Sequence, residues 1–134
     1  MLTYDDAPRY HHGDLRRSLI AGGLVLLEEK GAAALGLREI ARLVGVSAAA
    51  PYRHFADRKA LLEAVAAEGF RQFSEAMATA AEGRPEGEQL ATMAFAYVRF
   101  ALEQPALFRL MFSSELHPHR DPDLKEQARR PMPP

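Results

Sequence analysis

A chain of 134 residues, 48% apolar and 26% charged, has material for one ordinary core, or for a small module plus part of another domain, but not for two full domains. The absence of cysteine excludes disulfides, thiolate nucleophiles and cysteine-based zinc sites, and no apolar run approaches the roughly 18 residues that a membrane span needs. The net charge of −1 conceals a modest asymmetry, nine Lys and Arg against seven Asp and Glu in residues 1–60 but eight against eleven in residues 61–134, which gains meaning only if a motif places a polyanion on the basic side.

In chain order, Leu15, Leu19, Ile20, Leu24, Leu26 and Leu27 recur at helical spacing and Gly31 stands where a helix ends, which predicts a first helix over residues 14–30. Gly22 and Gly23 each weaken it by about 1 kcal/mol relative to alanine, as expected where another helix approaches closely. A short second helix follows over Leu37 to Val44. Its predicted buried stripe is Leu37, Ile40, Ala41 and Val44, with Arg38, Glu39 and Arg42 outside and Leu35 and Ile40 stapling its start around Gly36.

Gly45 then supplies a turn, and Ser47 is a good N-cap for a third helix. Pro51 is its fourth residue. A proline deep inside a helix costs about 3 kcal/mol, but here the missing N–H would have bonded only the cap carbonyl, so the helix is expected to survive with a loosened first turn. Ala48, Pro51 and Phe55 fall at three- and four-residue spacing and are expected to pack inward. The opposite side then offers Ala49, Ala50 and Arg53, with Tyr52 and His54 on its flanks.

Asp57 caps a predicted long fourth helix with the stripe Leu61, Leu62, Val65, Ala66, Phe70, Phe73, Met77 and Ala80, which "EGRPEG" closes. A fifth helix is predicted over about residues 86–104, and Pro105 opens a sixth. No segment alternates as a strand would, so the fold class is all-α. The proline-rich end, "HPHRDPDLKEQARRPMPP", is expected to be partly disordered.

Two short helices joined by a tight glycine turn, with small Ala41 where they cross, make a helix-turn-helix whose second helix is offered to a DNA major groove. Three donors on one short helix rarely serve a core, whereas a hydroxyl, a guanidinium and an imidazole in such a place can hold phosphates. Asp57, Arg58 and Lys59 start the next helix, whose N-terminal N–H groups also suit a phosphate. Arg53 is the expected base reader, since arginine can bond guanine O6 and N7 together while alanines offer only methyl contacts. The residues expected at the DNA interface are Arg38, Ser47, Ala48, Ala49, Ala50, Tyr52, Arg53, His54, Arg58 and Lys59.

The series "GGLVLLEEKG…LREIARLVGVSAAAPYRHFADRKALLEAV" resembles the DNA-binding domain of the TetR family of transcriptional regulators over about residues 13–66, with "IARLVGVS", "YRHF" and "DRKALL" in the family's order and spacing. "YVRFALEQPALFRLMFSSEL" is similar to the start of the regulatory domain in one subgroup. The resemblance implies an all-α homodimer that binds a palindromic operator in double-stranded DNA and is usually released by a small molecule; the expectation of a soluble, cytoplasmic protein comes instead from the lack of cysteine, of an apolar signal core and of a membrane-length apolar run. It implies backbone contacts for Tyr52 and His54. Arg58 stands where a lysine is commoner, Gly36 replaces the usual Thr or Ser cap, and Pro51 takes a position usually held by a larger aliphatic residue. The implied domains are a helix-turn-helix over residues 1–60 and a regulatory and dimerisation domain over residues 61–134. Family members normally continue through several more helices, so the second domain is expected to be incomplete; if the 134 residues are the whole molecule, a monomer or a weak dimer through exposed apolar surface of the fifth and sixth helices is expected.

Met93, Tyr97, Phe100, Phe108, Met111 and Phe112 are candidates to line a site for a small apolar or aromatic effector, although each taken singly also suits a core. His11 with His12, and His117 with His119, lack a second helical partner and carboxylates at ligand spacing, so no metal is expected. Neither a nucleophile with its base nor a phosphate-cradling glycine loop is present, so neither an enzyme nor a cofactor is expected. The alternative reading is a helical protein-interaction module without sequence-specific DNA binding, which leaves an exposed Tyr52, Arg53 and His54 unexplained.

Overall fold

A computed structural model describes residues 14–116; the four histidines of the two candidate pairs and the proline-rich end lie outside them. Among the described residues the chain forms five α-helices, α1 (Leu15–Lys30), α2 (Leu37–Val44), α3 (Arg58–Ala81), α4 (Glu86–Glu103) and α5 (Pro105–Met111), with 3₁₀ turns at Ala32–Ala34 and Ala50–Arg53 and no strand. The expected all-α class holds. The expected fourth, fifth and sixth helices are α3, α4 and α5, and the expected third helix is the second 3₁₀ turn.

One apolar cluster joins these elements: Leu19 and Leu27 of α1, Ile40 of α2, Leu61, Leu62 and Val65 of α3 and Leu107 and Met111 of α5 are all fully buried. The close approach expected at the glycine pair is present. A Cβ added at Gly23 would stand 2.8 Å from Val65 Cγ2, and one at Gly22 would stand 3.1 Å from Val44 Cγ2. α1 therefore presses α2 with one glycine and α3 with the next. The α2 stripe is buried as expected.

α4 is different. It packs on α3 and α5, with Phe100 its one buried residue among those described, while Leu90 is 79% exposed, Phe95 80% and Leu102 76%. Ring packing fixes the junction: Phe73 of α3 meets Tyr97 and Phe100 edge to face, both at 5.3 Å between centroids, and Tyr97 meets Phe108 of α5 at 5.5 Å. The predicted α3 stripe is buried at Leu61, Leu62, Val65, Ala66 and Phe73 but not to its end, since Met77 is half-buried and Ala80 borders an open groove, and it changes at Phe70. Phe70 lies near the surface against Phe112, and Gly69 takes the buried place beside it, where Leu107 and Met111 come within 2.9 Å of where its Cβ would be.

Candidate nucleic-acid interface

α2 ends at Gly45, whose φ of 88° and ψ of 35° lie in the left-handed region that favours glycine. Its N–H and that of Val46 both donate to the Ala41 carbonyl, at 2.9 and 3.0 Å, which closes the helix and turns the chain. Val46 tucks against the core. The chain then does not enter an α-helix. The N–H groups of Ala50, Tyr52 and His54 donate to the carbonyls of Ser47, Ala49 and Pro51, at 3.1, 3.2 and 3.0 Å, a three-residue pattern.

The expected third helix is thereby corrected to a 3₁₀ turn, and Pro51 supplies a reason. It has no N–H to give the Ser47 carbonyl, so the first α-helical bond cannot form, and the remaining amides satisfy the carbonyls at shorter spacing. Ala49 rather than Ser47 holds the cap position, with no side-chain cap bond. The tighter winding also rotates the faces. Ala50, expected outside and at the DNA interface, is only 6% exposed, whereas Ala48, expected inside, is exposed. Pro51 and Phe55 are buried as expected.

The side chains best placed to meet a partner lie on this anchored turn. Tyr52 is 60% exposed, and Arg53 and His54 are exposed beside it, while Ala50, Pro51 and Phe55 fix the backbone beneath. A phenol, a guanidinium and an imidazole project from a short segment that cannot swing freely. Ser47, Ala48 and Ala49 precede them on the surface, and Arg38 is exposed on α2, which packs against the turn.

Arg58 behaves otherwise than expected. Its Nη2 and Nε donate to the carbonyls of Ala32 and Leu35 at 2.7 and 2.9 Å, and its Nη1 lies 2.8 Å from Glu115 Oε1. Three of the guanidinium's N–H donors are thus used within the protein, closing the first 3₁₀ turn and tying it to the segment after α5. At the same helix start, Asp57 Oδ1 accepts from the Ala60 N–H at 2.9 Å, so a carboxylate already occupies the place expected to favour a phosphate. Lys59 keeps a long contact to Glu63, at 3.8 Å. Sequence reasoning missed the Arg58 bridge because its partners lie 23, 26 and 57 residues away, and the only local signal was that a 3₁₀ turn leaves carbonyls in need of donors.

Of the candidate effector residues, Tyr97, Phe108 and Phe112 come together as packed rings, Phe100 joins them through Phe73, and Met93 is half-buried on α4. Met111 and Phe100 are buried, while Tyr97, Phe108 and Phe112 stack in sequence, the last pair at 5.0 Å. Phe100 also borders an open groove of about 670 Å³ between α3 and α4, with Thr79, Thr92, Phe95 and Arg99. No helix among the described residues is long and apolar enough to cross a membrane.

The family model for bacterial regulatory proteins of the tetR family matches residues 19–65, and that for the tetracyclin repressor-like C-terminal domain matches residues 90–133. Among solved structures, a protein of unknown function from Rhodococcus sp. RHA1 is 42% identical, with a TM-score of 0.73 over 87% of this chain and 61% of its own. A TetR family transcription regulator from Marinobacter aquaeolei VT8 is 23% identical, with a TM-score of 0.61 over 84% of this chain and 59% of its own. TetR from Acinetobacter baumannii AYE is 24% identical, with a TM-score of 0.58 over 89% and 53%. The last two similarities concern the fold alone. The chain thus spans between about half and three fifths of the length of these structures. No curated protein matches it.

Proposed function

The chain belongs to the TetR family of bacterial regulatory proteins, and from that membership we propose that it is a DNA-binding transcriptional regulator, acting as a homodimeric, ligand-responsive repressor at a palindromic operator. The observation that carries the reading is the turn at Ala50–Arg53, whose buried Ala50 and Pro51 lock the backbone while Tyr52, Arg53 and His54 face outward. A core has no use for three exposed donors on an immobilised segment, and a nucleic-acid backbone has.

Arg53 reads a base edge, and Tyr52 and His54 hold the flanking phosphates. Ala48 and Ala49 are small enough to let the turn approach the groove and offer methyl contact to thymine. α3 runs from the end of this turn to the aromatic junction with α4 and α5, so an apolar effector that parts Tyr97, Phe108 and Met111 would tilt α3 and change the spacing of two half-sites in a dimer. The exposed apolar face of α4 supports association with a second copy. The division at about residue 60 assigns DNA to the first part and the effector to the second. Such a protein works in the cytoplasm, where its operator is, and performs no chemistry on its ligands.

Electrophoretic mobility shift against fragments of the host genome tests this reading. A subset of fragments shifted at salt concentrations where bulk DNA is not bound supports it. A chain that shifts no DNA even at low salt is an interaction module instead.

A further inference from the structure

Arg16, the second residue of α1, stands outside the interface described above. Its guanidinium carbon lies 5.5 Å from the centroid of the Phe55 ring, within the range of a cation–π contact. That ring is itself fixed. Phe55 is buried, its N–H donates to the Pro51 carbonyl at 3.0 Å, and it directly follows Tyr52, Arg53 and His54 in the chain. The stack therefore holds the head of Arg16 beside the recognition turn.

A cation–π contact consumes no conventional acceptor, so the N–H donors of the guanidinium remain for one. No carboxylate among the described residues takes these donors. Glu115 is paired with Arg58, Glu63 with Lys59, Glu68 and Glu75 with Arg71, and Glu103 with Arg99, whereas Arg16 has no ion pair there. A planar, pre-oriented fork of donors on the surface fits the paired oxygens of a phosphate. Resting on the DNA-binding reading, we propose that Arg16 is a further DNA contact, held by Phe55 beside the turn where a backbone phosphate would lie, the role the sequence suggested for Arg58. α1 then takes part in the interface instead of only supporting it.

The test is the salt dependence of binding to two duplexes of about 30 base pairs, one random and one selected by the chain itself. Arg16→Ala should weaken both about five- to tenfold and lower the slope of log affinity against log salt by about one. Arg16→Lys should keep the slope while losing part of the affinity, because the charge remains and the planar fork of donors does not. Arg17→Ala is the control, since its charge is felt by Glu68 of α3, and it should leave the slope unchanged. An unchanged slope in Arg16→Ala, or an equal drop in Arg17→Ala, overturns the contact while the wild-type chain still binds. Failure of the wild-type chain to bind either duplex overturns the DNA reading, and the Arg16 contact with it.

Discussion

Arg58 Nη1 and Glu115 Oε1 stand 2.8 Å apart, 57 residues removed in sequence, so the first residue of α3 is joined to the segment that follows α5. The two ends of this bridge are unequal. The Glu115 pair is exposed and screened, while the bonds to the Ala32 and Leu35 carbonyls are partly buried. Arg58→Ala is expected to cost about 2 kcal/mol of stability through the stranded carbonyls, and Glu115→Gln less than about 1 kcal/mol. Urea unfolding of the two variants measures this. Equal losses would place the worth of Arg58 in the ion pair, and a clear fall in the salt slope of DNA binding on Arg58→Ala would return it to the phosphates.

Arg53→Ala should cost about 1 to 3 kcal/mol on a selected duplex and relax the preference at one base pair per half-site, with little loss on random DNA. Tyr52→Phe and His54→Ala should weaken binding to both duplexes alike, because the groups removed are those proposed to hold the phosphates. Competition titrations with the two duplexes separate the roles. Loss of discrimination on His54→Ala, with none on Arg53→Ala, would exchange them.

The exposed stripe on α4 predicts self-association. Ala91, Phe95, Val98 and Leu102 recur at alternating spacings of four and three residues, the spacing of a helix-pairing seam. Phe95→Glu combined with Leu102→Glu should shift sedimentation equilibrium toward the monomer without changing the helical circular dichroism signal. A mass average unaffected by both substitutions would move the interface elsewhere.

A pH dependence follows from Glu68 on α3. Arg71 donates to its carboxylate at 2.7 Å, and this bond, more than the opposing effect of burial, holds the carboxyl below its ordinary value of 4.5. A carboxyl depressed in the folded state adds stability above its unfolded value and loses it as the pH falls through the folded one. Glu68→Gln should therefore be less stable than wild type near neutrality, and the difference should shrink at a pH well below 4.5. Urea midpoints at the two pH values check this; a constant difference would mean that packing, not charge, is what Glu68 contributes.

Much of this was legible in the sequence, and what was not has identifiable physics. The α2 stripe and the Asp57 cap followed from spacing alone, because each depends on residues within one or two turns. The winding of the recognition segment did not. Counting at 3.6 residues per turn from Ser47 placed Ala48 inside and Ala50 outside, and a single missing N–H at Pro51 changed the period and exchanged them. Gly69 was missed because its use depends on Leu107 and Met111 packing onto it from α5, and the Arg58 bridge because its acceptors are distant backbone carbonyls. The Tyr52, Arg53 and His54 triplet was read as exposed, and it is.

Selection of random duplexes by the purified chain, followed by sequencing, tests the central claim most directly. The account predicts enrichment of a two-fold symmetric sequence, with one position in each half losing its preference when the selection is repeated with Arg53→Ala. A pool that shows no enrichment, or the same enriched sequence from a variant lacking Arg53 and both the Tyr52 hydroxyl and the His54 ring, would contradict the assignment of this turn to DNA.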